Sequence, residues 1–172
     1  MAGGAGVGHA TPSGCDAVSD GLASPAVPPA LDPETVRQIV GKEFDHATHG
    51  PVTAEELIEF ARALGEVQPE YTVPGPGLIG HPTYCVRYKG RKFYPENLPK
   101  VVNVRAGFDA GKDIELGVPV RPGDMIEVRA TLHDIYEKTG RSGSMYFVVI
   151  RFTMTNQRGE TLAVIDNRFM HR

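Results

Sequence analysis

The chain has 172 residues, of which 41% are hydrophobic and 23% charged, the composition of an ordinary soluble domain. A chain of this length buries roughly 70% of its extended surface on folding, so no disulfide or metal is needed to stabilise a core. The formal net charge of −3 excludes a general attraction for nucleic acid or for an anionic membrane.

The cysteine and histidine patterns give no sign of a metal or disulfide framework. Cys15 and Cys85 lie far apart in the sequence, which favours reduced thiols and a cytoplasmic location. His46 and His49 lack a third ligand of the right kind, so we expect no metal site. No apolar run is long enough to span a membrane, and the first residues lack the pattern of a secretory signal.

Residues 1–30 are rich in Gly, Ala, Ser and Pro and predict a flexible tail before a single domain over residues 31–172. Asp32 as cap and Pro33 as first residue predict a short helix to about Val40, which ends at Gly41. An extended or turn segment is expected over residues 44–51.

The clearest predicted element is a second helix, Thr53–Leu64. Thr53 and Glu56 form a capping box, and Gly65 ends the helix. One face is apolar at i, i+3, i+4 and i+7: Leu57, Phe60, Ala61 and Leu64. Residues 72–100 then form an irregular crossing rich in Pro and Gly, with a short buried helix expected around Thr83–Tyr88. A loop of this length inside a domain is usually functional.

From residue 101 the pattern changes to strands separated by tight turns. The predicted strands are Val101–Phe108, Ile114–Val120, Met125–Ile135, Met145–Thr155 and Thr161–His171. The predicted turns are Asp109–Gly111, Arg121–Asp124, Gly140–Gly143 and Asn156–Gly159. A helix followed by a run of antiparallel strands predicts the α+β class.

The segment after the central helix is Gly65-Glu66-Val67-Gln68-Pro69-Glu70-Tyr71. It resembles the Gly-Asp-x-Asn-Pro-apolar-His motif of the MaoC-like, (R)-specific enoyl thioester hydratases, in which the Asp and the His position and activate a water. Gly and Pro stay in register. The three working positions differ, because Glu66 stands for Asp, Gln68 for Asn and Tyr71 for His.

Further segments are similar to the N-terminal dehydratase domain of the same family: Pro51–Thr53, Pro82–Tyr84, Asp109–Gly111, Ile114-Glu115, Pro119–Asp124 and Asn156–Glu160. The resemblance implies a hot-dog fold, in which a curved antiparallel sheet wraps around one central helix. It also implies a double hot-dog, in which one half keeps the Asp and His while the other widens the pocket for the acyl chain. This chain holds one half, so a second hot-dog chain is the expected partner.

The altered motif predicts that no residue of this chain is catalytic. A tyrosine has an unperturbed pKa of about 10, so Tyr71 is a poor substitute for a histidine base. Glu66 adds a methylene that moves the carboxylate by more than ~1 Å, enough to impair a positioned proton transfer. The structural alternative is a simple helix exit, with Gly65 as the cap and the ring of Tyr71 packed.

Substrate contacts are expected in the irregular crossing, because family members line the acyl pocket there; the candidates are His81, Pro82, Thr83 and Tyr84. Basic side chains are candidates for the phosphates of coenzyme A: Arg87, Lys89, Arg91, Lys92, Lys138 and Arg141. A solvated charged loop is the alternative.

The resemblance therefore predicts a subunit of a heteromeric (R)-specific enoyl-CoA hydratase or 3-hydroxyacyl thioester dehydratase, with coenzyme A only as part of the substrate and a partner chain that supplies the catalytic Asp and His. Two alternatives remain: a self-sufficient hydratase or thioesterase that uses Glu66, and a non-enzymatic module that binds acyl thioesters. The acyl group, the carrier and the direction of reaction stay open. The apolar strand Met145–Thr155 is an expected aggregation hazard unless a partner covers it.

Overall fold

One antiparallel sheet and a few short helices make up the part of the chain that the computed structural model describes, residues 31–141 and 143–172 together with Gly3. The strands are β1 Glu43–His49, β2 Gly107–Leu116, β3 Ile126–Gly140, β4 Gly143–Thr155 and β5 Thr161–His171. The α-helices are α1 Pro33–Ile39, α2 Ala54–Ala63 and α3 Pro69–Thr72, and two 3₁₀ segments cover Pro82–Arg87 and Val104–Ala106. The predicted flexible tail over residues 1–30 lies outside the described residues, Gly3 aside.

The strand order is β1-β3-β4-β5-β2, and every neighbouring pair is antiparallel. The longest pairing joins β3 to β4, from Glu127 opposite Thr155 to Gly140 opposite Gly143. Strands β4 and β5 follow through the turn at Asn156–Gly159, as the sequence predicts. The predicted α+β hot-dog fold, with a curved antiparallel sheet around a central helix, is confirmed.

Helix α2 is the central helix, and its N-terminus carries the predicted capping box. The Glu56 N–H donates to Thr53 Oγ1 over 3.2 Å, and the Thr53 N–H donates to Glu56 Oε2 over 2.9 Å. Leu57 and Ala61 are fully buried, and Leu57 belongs to the same apolar cluster as the inward side chains of β3 and β4. Leu64 is the C-cap and is 54% exposed, so the buried face ends one turn earlier than predicted.

The other predicted elements before residue 100 are present. Helix α1 is capped by the Asp32 side chain, which accepts from the Thr35 N–H over 2.9 Å. The extended segment is β1, which pairs with β3. The short buried helix is the 3₁₀ segment Pro82–Arg87, which buries Tyr84 and Cys85. Helix α3 was not predicted, because four residues are too few for an apolar period.

The predicted hairpin around Asp109–Gly111 is wrong, because residues 107–116 form one continuous strand. Gly107–Asp109 pair with residues 169–171 of β5, and Lys112–Leu116 pair with residues 163–167 of the same strand. Asp109 Oδ1 accepts the Gly111 N–H over 2.9 Å, and Gly111 has a φ of 109°. The turn signature therefore makes a bulge inside the strand instead of a reversal. The predicted strand Val101–Phe108 is wrong over most of its length, since residues 104–106 are 3₁₀ and only Gly107 and Phe108 belong to β2. The predicted strand Ile114–Val120 ends at Leu116.

The position of β4 corrects the expected aggregation hazard. Strand β4 lies between β3 and β5, so both of its backbone edges are hydrogen-bonded. The exposed edge with apolar side chains is β2, all ten residues of which are exposed. Phe108 is 62% exposed and Leu116 is 52% exposed. If an edge of this sheet needs a cover, that edge is β2.

A matched pair of substitutions on α2 tests the burial of its face. Leu57→Ala removes a fully buried side chain and is expected to lower the free energy of unfolding by about 2–5 kcal/mol, because it leaves a cavity in the core. Leu64→Ala, at the exposed end of the same helix, is expected to cost under about 1 kcal/mol. Urea unfolding followed by circular dichroism measures both. Equal losses would contradict the placement of α2.

Candidate functional site

An apolar cavity of about 210 Å³ lies between the irregular crossing and the chain that leads from β2 towards β3. Its wall is formed by Tyr71, Ile79, Gly80, His81, Pro82, Cys85, Leu116, Gly117, Val118, Pro119, Val120 and Leu162. Most of these side chains are aliphatic, and the polar groups are those of Tyr71, His81 and Cys85. Such a cavity suits a hydrocarbon chain with few polar substituents.

Backbone hydrogen bonds hold the two sides of the cavity together. The Gly80 N–H donates to the Val120 carbonyl over 2.7 Å, and this bond joins the crossing to the opposite wall. The Val118 N–H donates to the Thr161 carbonyl over 2.9 Å at the start of β5. A Cβ on Gly80 would lie 3.2 Å from both Leu57 and Val120, so the close approach of the two walls favours glycine there.

The Glu66 carboxylate is held by the backbone of its own loop. Its Oε1 accepts the N–H groups of Val67 over 2.8 Å and Gln68 over 3.0 Å. These N–H groups, that of Gln68 above all, hold the pKa of Glu66 below its ordinary value. A general base works best with a pKa near the pH of the reaction, so this arrangement weakens Glu66 as a base. The Gln68 side chain is exposed, and the residue caps α3 without a side-chain hydrogen bond.

His81 lies beside the altered motif, although 15 residues separate it from Glu66 in the sequence. His81 Nε2 is 4.0 Å from Glu66 Oε2, and the ring of Tyr71 meets the His81 ring edge-on at 5.4 Å. On its other side, His81 Nδ1 accepts the Thr83 N–H over 3.3 Å and lies 2.9 Å from Thr83 Oγ1. The sequence predicted His81 as a pocket residue but gave no signal of its contact with Glu66.

The four predicted substrate residues occupy different places. His81 and Pro82 line the cavity. Thr83 faces an open apolar groove on the far side of the 3₁₀ segment, together with Phe60, Val86, Arg87 and Ile114. Tyr84 is fully buried, and its hydroxyl accepts from the Tyr88 hydroxyl over 3.1 Å. Burial raises the pKa of Tyr84 above its ordinary value. Contact of these residues with substrate stays a prediction.

The predicted phosphate-binding cations are dispersed over the surface, and most of them have partners within the chain. Arg87 lies over the rings of Tyr84 and Tyr88 at 5.2 and 5.6 Å, at the edge of the open groove. The remaining contacts are Lys89 over Phe93, Arg91 to the His46 carbonyl, Lys92 to Glu96, and Lys138 over Tyr136 and Phe147. Arg141 is exposed after the end of β3. Only Arg87 lies next to an apolar recess, and phosphate binding by the set stays a prediction.

The sequence analysis missed half of the cavity wall. Residues 116–120, together with Leu162 at the start of β5, form the side opposite the crossing. A neighbouring recess shares Val118 and Pro119 with the cavity and adds Arg121 and Arg158. Arg158 is bound to Asp124 over 2.9 Å and to Glu160 over 2.7 Å, so its charge is already compensated. Contacts between such distant segments leave no local pattern in a sequence.

Neither a cluster of metal ligands nor a membrane-spanning helix is found in the part of the chain that the structure describes. Within residues 31–141 and 143–172, no group of three or more His, Cys, Asp or Glu side chains is placed to hold a metal ion. Among the helices of that same part of the chain, none is long and apolar enough to cross a membrane. The site is thus an apolar cavity with one imidazole, one phenol and one buried thiol in its wall.

Comparisons with known proteins agree with the fold described above. A sequence model of the family described as FAS1-like, dehydratase domain region, matches residues 38–165. The solved structure of the MaoC-like dehydratase from Rhodospirillum rubrum is 24% identical, with a TM-score of 0.55 over 77% of this chain and 91% of that chain. Among curated proteins, no sequence match was found.

Two other similar structures are complexes from Mycobacterium tuberculosis. The ChsH1-ChsH2 complex includes a chain that is 18% identical, with a TM-score of 0.62 over 80% of this chain and 89% of that chain. The C-terminally truncated HadBC complex, a (3R)-hydroxyacyl-ACP dehydratase, gives 19% identity and a TM-score of 0.50 over 76% of this chain and 99% of that chain. At these identities the likeness shows the fold.

The thiol of Cys85 gives a test of the closed cavity wall. Cys85 is 4% exposed, and burial raises its pKa to about 11, so very little thiolate is present at pH 8. We expect Cys85 to react with iodoacetamide roughly a hundredfold more slowly in the folded chain than in urea, because the thiolate is the nucleophile. Between pH 8 and 10 the folded rate should rise with pH. Mass spectrometry of the Cys85 peptide measures both rates, and equal rates would contradict the burial.

Proposed function

Because the chain belongs to the MaoC-like, FAS1-like dehydratase family of hot-dog proteins, we propose that it is the acyl-binding subunit of a heteromeric (R)-specific enoyl-CoA hydratase or 3-hydroxyacyl thioester dehydratase. A second hot-dog chain supplies the catalytic Asp and His. The complex is cytoplasmic and needs no cofactor beyond the carrier of the acyl group.

One observation carries the proposal: the motif positions for the catalytic Asp and His hold Glu66 and Tyr71, whose side chains are poorly suited to the proton transfers of hydration. Hydration adds a hydroxyl to C3 of the enoyl thioester and a proton to C2, so a base must take a proton from water and an acid must return one. Glu66 has one oxygen bound to two backbone N–H groups and a lowered pKa. Tyr71 stands where the motif has His, and a phenol does not cycle a proton near neutral pH.

The cavity supports the part of the proposal in which this chain binds the acyl group. Its aliphatic wall, from Ile79 on one side to Val118 and Leu162 on the other, suits the hydrocarbon tail of an acyl group. In the proposed complex the tail enters this cavity while the thioester and the double bond lie at the Asp and His of the partner. The carrier is coenzyme A or an acyl-carrier protein, and Arg87, which lines a separate open groove, is the candidate cation for a phosphate of the carrier.

Strand β2 supports the proposed partner. It is an edge strand, its ten residues are all exposed, and it pairs with β5 on one side only. Ile114 is 41% exposed and Leu116 is 52% exposed, and both face the same side of the sheet as the core residues of β5. A second chain paired along β2 would bury these side chains and complete the open backbone edge. The ChsH1-ChsH2 and HadBC structures, which have a similar fold, are complexes, and this supports a partner chain for this protein.

Mutant kinetics on the assembled complex test which of the two chains carries the catalytic residues. Removal of the partner's Asp or His is expected to lower kcat/KM for hydration of crotonyl-CoA by a hundredfold or more, since a general base is lost. Glu66→Ala and Tyr71→Phe in this chain should cost only a few-fold, because neither removes the general base and the loss of a pocket-lining polar group costs about 1 kcal/mol. The isolated chain should be nearly inactive. A hundredfold loss for Glu66→Ala, with fold and assembly intact, would identify this half as catalytic.

Assembly is tested by a charge placed on the edge strand. Ile114→Arg puts a cation on the apolar face of β2 and is expected to prevent pairing, so that sizing with light scattering at micromolar concentration shows a monomer in place of the complex. Val67→Arg is the matched control, because Val67 is 84% exposed and lies in the loop after α2. A wild-type chain that stays monomeric with every candidate hot-dog partner would contradict the proposal.

A further inference from the structure

Glu66 and His81 form a polar pair at the edge of the apolar cavity. His81 lies in the cavity wall next to Tyr71, and Glu66 lies beside it. The side chains of Glu66 and His81 are 19% and 21% exposed, so both are mostly buried yet reachable. The proposed function uses neither of them. Placing a carboxylate and an imidazole in a largely apolar recess costs free energy unless both are hydrogen-bonded, so the pair requires a functional explanation.

The contacts of His81 fix which of its nitrogens carries the proton. Nδ1 accepts the backbone N–H of Thr83, so in the neutral ring the proton is on Nε2. Nε2 faces Glu66 Oε2 at 4.0 Å, which is too long for a direct hydrogen bond of about 3 Å. The other carboxylate oxygen is occupied by the N–H groups of Val67 and Gln68. The pair therefore presents one donor and one acceptor with a gap between them.

An oxygen atom that both accepts and donates fits this gap. A hydroxyl can accept from His81 Nε2–H and donate to Glu66 Oε2 at the same time. A ketone oxygen only accepts, so it would satisfy His81 and leave the carboxylate without a donor. A methylene would satisfy neither group, and a polar site that is left unpaired discriminates strongly against the ligand that lacks the hydroxyl.

We propose that Glu66 and His81 recognise a hydroxyl group carried farther along the acyl chain than C3, so that this subunit selects acyl thioesters with such a hydroxyl over those with a plain hydrocarbon tail. The inference rests on the proposed function, since it concerns the same acyl cavity. The hydrocarbon part of the chain lies against Ile79, Val118 and Leu162, and its hydroxyl reaches the pair beside Tyr71. Glu66 and His81 are specificity residues here and transfer no proton.

Two features favour recognition over acid–base chemistry at this pair. The backbone N–H groups that bind Glu66 lower its pKa, which keeps the carboxylate ionised and makes it a worse base. Nε2 of His81 and Oε2 of Glu66 are 4.0 Å apart, so no direct hydrogen bond links them for proton transfer.

The test is equilibrium binding of saturated ligands, which cannot turn over, to the full chain in complex with its partner. Isothermal titration compares octanoyl-CoA with octanoyl-CoA bearing one hydroxyl at each position from C4 to C8, and with the ketone at the position that binds best. We expect one alcohol to bind about tenfold more tightly than octanoyl-CoA and than the ketone, the advantage of a hydrogen bond to a charged group.

Two matched variants assign the advantage to the pair. His81→Phe keeps a flat ring against Tyr71 and removes the donor, so the ratio of the alcohol's affinity to that of octanoyl-CoA should fall from about ten to near one. His81→Gln keeps an N–H donor in place of Nε2 and should retain most of the advantage, whereas an acid–base role would not survive it. Circular dichroism and thermal unfolding confirm that both variants fold.

Equal binding of all alcohols and octanoyl-CoA to the wild-type complex would overturn the inference and leave the proposed function standing. The absence of any acyl-CoA binding would overturn both. Loss of the advantage in His81→Gln as well as in His81→Phe would overturn recognition through the donor. Hydration of crotonyl-CoA that persists with a partner lacking its Asp and His, and that His81→Gln abolishes, would make the pair catalytic and would also overturn the inference.

Discussion

The buried carboxylate of Asp124 ties together the segments on which the site is built. Asp124 is 1% exposed, and its two oxygens accept the Arg121 N–H over 2.8 Å and the Arg158 guanidinium over 2.9 Å. Its own carbonyl accepts the Val52 N–H over 2.9 Å, one residue before the cap of the central helix. One turn thus joins the start of α2, the entry to β3 and the β4–β5 hairpin. A side chain without an acceptor at this position would remove the partner of the Arg121 N–H and one partner of the Arg158 guanidinium.

The turn at Arg121–Asp124 also determines the position of the cavity wall. Val120 lies immediately before Arg121, and its carbonyl accepts the Gly80 N–H across the cavity over 2.7 Å. On the other side of the wall, Gly117 and Val118 donate to the Leu162 and Thr161 carbonyls at the start of β5. The wall is therefore held by backbone hydrogen bonds, and the side chains that face the cavity are free to set its shape and polarity. This separation lets one polar pair stand in an otherwise aliphatic lining.

Local signals predicted the elements that depend on neighbours in the sequence. The capping box at Thr53 and the apolar period after it gave α2 to within one residue at each end. The Asp109–Gly111 signature failed, because a local turn pattern cannot show that both flanking segments pair with β5, whose paired residues lie 47 to 64 positions later in the sequence. The contact of Glu66 with His81 was also out of reach, since the irregular crossing between them has no period that fixes its path. Pairing with β5 makes β2 one continuous strand, and the path of the irregular crossing brings His81 to Glu66.

The altered motif and the open edge have a common consequence. Tyr71, at the motif position, and Leu116, at the end of the edge strand β2, line the same cavity. In the proposed complex, the motif side of the cavity has no general base of its own, and the β2 side has no neighbouring strand. A single chain docked along β2 would supply both, because its own motif would approach the cavity as it covered the edge. Catalysis and assembly would then be one event, and selection against an isolated, exposed edge would also preserve the partnership on which the chemistry depends.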